Sequence, residues 1–66
     1  MENLKRISEN EWEAVDPITK GIWRVVAPHA LSEIGALLAI TQTITEEGIR
    51  PGEGTTTTIH FQISIA

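Results

Sequence analysis

The chain has 66 residues, no cysteine, a formal net charge of −4 and 41% hydrophobic residues, with a pI near 4.9 and a mean hydropathy of −0.02. Without cysteine there is no disulfide and no thiolate metal site, and the apolar content is too high for a wholly disordered chain. An acidic surface repels phosphates and anionic headgroups, which argues against nucleic acid and membrane as partners.

No apolar run reaches the length of a membrane span. The N-terminal Met1-Glu2-Asn3-Leu4-Lys5-Arg6-Ile7 lacks the apolar core of a secretion signal, so the cytoplasm is the expected compartment. The length fits one small domain, 1–66. A core of that size supplies only about 3–5 kcal/mol, and chains this short usually add staples or partners. With no staples, self-association is expected.

Residues 1–10 carry two apolar side chains, Leu4 and Ile7. Their spacing of three fits a helical turn, a short strand or a flexible arm, and the sequence leaves all three open.

Glu11 to Ala27 reads as a β-hairpin. Asp16-Pro17-Ile18-Thr19-Lys20-Gly21 is the turn: Pro17 presets φ, Asp16 can accept from the backbone ahead of it, and Gly21 is conformationally free. With Val15 and Ile22 flanking the loop, Ala14 opposes Trp23, Glu13 opposes Arg24 and Trp12 opposes Val25. One face then carries Trp12, Ala14, Trp23, Val25 and Ala27. The other carries Glu11, Glu13, Arg24, Val15, Ile22 and Val26, and a slip of one residue would invert both.

Pro28 to Glu47 is the expected helix, with Pro28 in the first turn and Gly48 as the stop. Leu31, Ile34, Leu38, Thr41 and Thr45 share one helical face, as do Ala30, Ile34, Leu37, Thr41 and Ile44. Two features oppose it and leave open a helix that ends near Thr41. The run from Ile40 to Thr45 is rich in β-branched residues and alternates with period two, and Glu46 and Glu47 lie at the negative end of the helix dipole.

Ile49 to Thr57 is a loop, broken by Arg50-Pro51-Gly52-Glu53-Gly54. Thr58 to Ile65 then alternates strictly, with Ile59, Phe61, Ile63 and Ile65 on one face and Thr58, His60, Gln62 and Ser64 on the other. If this strand overhangs the core, its edge is free to pair with a second chain.

Together these elements predict an α+β class: a small ββαβ domain with one helix on one face of a three-stranded, mainly antiparallel sheet. A right-handed crossover returns the last strand parallel to the second strand of the hairpin; it can lie beside the first strand, the preferred placement, or beside the second. The helix covers the tryptophan face and leaves the other face open.

Few residues promise chemistry. His29 and Glu33 lie four apart on a helix, but a metal needs a third ligand. His60 sits on a polar strand face without a visible general-acid or general-base partner. Gly52-Glu53-Gly54 is followed by a strand and carries a carboxylate, unlike a phosphate loop. Glu9, Glu11, Glu13 and Asp16 form an acidic stretch suited to steering a basic partner.

No nucleophile–base order or nucleotide fingerprint is present, so neither an enzyme nor a bound cofactor or metal is expected. The expected function is a small acidic protein–protein interaction module. It would self-associate or dock on and modulate a larger protein, in the manner of phage- or bacterium-encoded inhibitors and adaptors. Its partner-binding residues would be Trp12, Glu13, Ile22, Arg24, His60 and Gln62. The alternative is a small oligomeric enzyme or ligand binder whose pocket forms between subunits, lined by Arg24, Arg50, His60 and Gln62.

Overall fold

The computed structural model describes residues 1–61. Within them the order is β1 (Glu2–Ser8), β2 (Glu11–Val15), β3 (Ile22–Val26), α1 (Glu33–Glu47) and β4 (Thr56–His60). The class is α+β: one helix packs on a four-stranded mixed sheet of order β1-β2-β3-β4. Gln62, Ile63, Ser64 and Ile65 lie outside the described residues.

The hairpin forms in the expected register, with Val15 opposite Ile22, Ala14 opposite Trp23, Glu13 opposite Arg24 and Trp12 opposite Val25. Period-two burial follows from it. Trp12, Ala14, Trp23 and Val25 are buried, and the residues between them are half-exposed.

The structure corrects the expected sheet in two ways. The N-terminal decad is a strand, β1, paired antiparallel to β2. Its ladder is irregular between Glu2 and Lys5 and between Arg6 and Ser8, with Asn3 in the left-handed region at φ 51°. Those breaks destroy the period-two signature: Leu4 packs against the core, whereas Ile7 is 46% exposed.

Second, β4 lies beside β3 and parallel to it, not beside β2. With β1 on the outer edge of β2, the remaining edge belongs to β3, and β3-α1-β4 becomes a β-α-β crossover. The strand also starts earlier than expected, at Thr56, because Ile22 N–H already donates to the Thr55 carbonyl.

The helix begins at Glu33, five residues later than expected. Residues 28–31 are held across the end of the sheet: Leu31 N–H donates to Glu9 O, and the Trp12 indole N–H donates to Leu31 O at 2.7 Å. Ser32 then caps the helix, its side chain accepting from Gly35 N–H. At the other end the helix runs through its β-branched stretch to Glu47. It stops on Gly48 at φ 67°, whose N–H donates to Ile44 O.

The buried face of α1 is Ala36, Ala39 and Ile40, with Ile44 half-buried beside them. Neither expected apolar stripe is the core face. Ile34 and Leu38, shared between or belonging to those stripes, are 70% and 60% exposed. Volume explains this. Trp12 and Trp23 already fill the layer between helix and sheet, so alanines face them and the bulkier side chains turn outward. Each tryptophan buries about 150–250 Å², which at about 25 cal/mol per Å² is worth roughly 4–6 kcal/mol of transfer free energy.

The two loops at one end of the sheet are joined. Asp16 is fully buried. Its Oδ1 accepts from Ile18 N–H at 2.8 Å and Thr19 N–H at 3.1 Å, and its Oδ2 accepts from the Trp23 indole at 3.0 Å. Arg50 Nη1 donates to both oxygens, at 3.0 and 2.8 Å. Gly21 packs so tightly against the crossover loop that a Cβ there would collide with the Pro51 carbonyl oxygen.

Candidate interaction surface

The sheet face turned away from α1 is covered by no element among the described residues. Three strand registers place its side chains in rows. Ser8, Glu11, Val26 and His60 form one row; Lys5, Glu13, Arg24 and Thr58 the next; Glu2, Val15, Ile22 and Thr56 the third. Each row crosses all four strands.

The charge cluster centres on Arg24 in the middle row. Arg24 Nη2 donates to Glu13 Oε2 at 2.9 Å, and Arg24 Nε lies 3.3 Å from Glu11 Oε2. That Nε is buried and has no hydrogen-bond partner; its approach to Glu11 is a charge contact without hydrogen-bond alignment. The side chain as a whole is 44% exposed. The hydrogen bond to Glu13 raises the Arg24 pKa further, partial burial opposes it, and the charges of Glu11 and Glu13 add to the rise. Arg24 is therefore a fixed cation held between two carboxylates.

Val15, Ile22 and Val26 flank this cluster, each half-buried. The face thus combines half-buried aliphatic side chains with a central ion-pair cluster. Beside it, the irregularity in β1 opens a cleft of about 420 Å³ between Asn3–Lys5 and Glu13–Val15, floored by Ile22. Its ionisable lining is Lys5 and Glu13, a pair with no nucleophile beside it.

Of the six residues expected to bind a partner, Glu13, Ile22, Arg24 and His60 share this face. Trp12 does not: it is 8% exposed, faces the helix layer and is roofed by Arg6, whose guanidinium carbon lies 5.0 Å from the ring centroid. Gln62 lies outside the described residues. Val15, Val26, Glu11 and Thr58 belong to the same surface, and the hairpin register already placed the first three on it.

The residues considered for other chemistry are dispersed. His29 Nδ1 contacts the carbonyl of Ala30 at 2.9 Å, and no group of three potential metal ligands forms among the described residues. Arg50 is bound to Asp16 beside Gly21, whereas His60 pairs with Val26 at the far end of β3. Asp16 itself is a buried carboxylate, but all its oxygens are engaged. Burial alone would raise its pKa; the Thr19 N–H, the Trp23 indole, the Ile18 N–H and Arg50 outweigh it and hold the carboxyl well below the usual carboxylate range. A group so satisfied is structural. No described helix is long and apolar enough to cross a membrane.

Comparison with protein families, with curated proteins and with solved structures gives no match for this chain.

Proposed function

We propose that this chain is a small acidic protein–protein interaction module that self-associates or docks on and modulates a larger protein through its open sheet face. The observation that carries the reading is the uncovered face itself, with Val15, Ile22 and Val26 grouped around the Glu11–Arg24–Glu13 cluster. A chain of 66 residues whose sheet has one side uncovered among the described residues gains stability by covering it. The charge cluster gives that contact orientation, since a partner must meet a cation flanked by carboxylates.

The test is the double variant Ile22→Thr with Val26→Thr, which keeps β-branched residues in the strand and removes apolar surface only from the open face. A protein captured from the source cell is purified and titrated against both forms. Affinity for the double variant is expected to fall about tenfold or more, corresponding to roughly 1.4 kcal/mol. Unchanged affinity in a folded variant means that the open face is not the docking surface.

A further inference from the structure

The two edges of the sheet differ in kind. The β1 edge is interrupted twice, holds Asn3 in a left-handed conformation and carries Lys5 and Arg6. Bulges and charges of this sort block strand addition. The β4 edge has none of them. Thr56-Thr57-Thr58-Ile59-His60 pairs with β3 in unbroken register and contains no Asp, Glu, Lys, Arg, Pro or Gly.

Which backbone groups that edge offers follows from the ladder. Ile22 N–H donates to Thr55 O at 2.9 Å, and Phe61 N–H donates to Val26 O at 2.8 Å. In a parallel ladder, alternate residues turn both backbone groups to the neighbouring strand. Residues 55, 57, 59 and 61 therefore face β3, and Thr56, Thr58 and His60 turn their N–H and C=O groups outward. These six groups meet no further strand among the described residues.

We propose that β4 pairs antiparallel with β4 of a second copy of this chain, about a twofold axis through Thr58. This rests on the self-association reading given above and names its site. In this register Thr58 opposes Thr58, and Thr56 opposes His60 in both directions, so all six outward groups are used in six hydrogen bonds. Thr57 of one copy lies opposite Ile59 of the other on the helix side, covering a side chain that is only half-buried in the single chain.

Charge favours this strand as the contact. Two copies each of net charge −4 repel, and an uncharged strand brings them together without setting like charges opposite each other. The product is one eight-stranded sheet in which the two open faces are continuous.

Sedimentation of the whole chain at about tens of micromolar is expected to show a species of twice the 7.3 kDa chain mass. Thr58→Pro removes a donor that no intramolecular bond uses, so it is expected to yield a folded monomer by far-ultraviolet circular dichroism. Thr58→Glu provides a second route. It places a carboxylate beside Arg24 within one chain but two carboxylates face to face across the axis, weakening dimerisation by about tenfold or more. In the wild type, the amides of Thr56, Thr58 and His60 are expected to exchange more slowly as concentration rises.

A wild type that stays at single-chain mass at several hundred micromolar overturns the pairing, while docking on a larger protein would still stand or fall on the Ile22 and Val26 variant. A dimer that persists in both Thr58 variants, or outward amides whose exchange ignores concentration, overturns it as well.

Discussion

Asp16 is the residue on which two distant parts of the chain depend. It binds the turn that follows it, the indole of Trp23 and, across 34 positions of sequence, Arg50. Replacing it by Asn keeps the shape but removes the charge and turns an amide donor toward groups that are themselves donors. Breaking a buried pair costs about 3–5 kcal/mol; since Arg50 is 30% exposed, the low end, about 3 kcal/mol, is expected for Asp16→Asn in a urea titration. The pH dependence has a defined sign. The native carboxyl binds its proton less readily than the ordinary value of 3.8, so its contribution is fully present above that value. It is lost as pH falls below it toward the lowered native pKa. Acid unfolding of the wild type is therefore expected to steepen below about pH 4, and Asp16→Asn is expected to flatten that limb.

The helix separates what its sequence shows from what its packing decides. Its end at Gly48 is readable, because glycine at the left-handed stop is a local signal. Its start is not, because Pro28 marks a first turn too early: the segment after Pro28 is tied down by Glu9 and Trp12, and the helix begins only after Ser32. Which face is buried is not local at all, for it depends on two tryptophans from another element. Two substitutions separate these contributions. Ser32→Ala is expected to cost about 1 kcal/mol through the lost cap, whereas Leu38→Gln, at a position 60% exposed, is expected to change the unfolding free energy by no more than about 0.5 kcal/mol. Both are read from denaturant midpoints. The hairpin shows the opposite balance. Its register was readable residue by residue, since only one alignment opposes Glu13 to Arg24 and keeps both tryptophans on one face.

At the scale of the molecule, the choice of neighbour for β4 was not readable, because it depended on whether residues 2–8 formed a strand. Once β1 occupies β2, the crossover decides the rest. The charge distribution is equally a property of the whole. Lys20, Arg24 and Arg50 each lie within 3.3 Å of a carboxylate, whereas Glu9, Glu33, Glu46, Glu47 and Glu53 have no ion pair among the described residues. The helix contributes three of these five and no cation. The net charge is thus concentrated toward the helix and loops, and the open face is closer to neutral. Of the candidate surface, Glu13, Ile22, Arg24 and His60 could be placed from strand alternation, while the burial of Trp12 under Arg6 required the extra strand.

The junction of Asp16, Gly21, Arg50 and Pro51 has a consequence for how the chain assembles. A carboxylate sealed beside an indole gains its cation only when the segment after the helix has arrived. A peptide spanning 11–27 alone would carry that acid uncompensated, and it is expected to show no hairpin dispersion in its amide proton spectrum. Stability is then expected to belong to no fragment, with ribbon, rod and returning strand lost together in one transition that circular dichroism and tryptophan fluorescence report at the same denaturant midpoint.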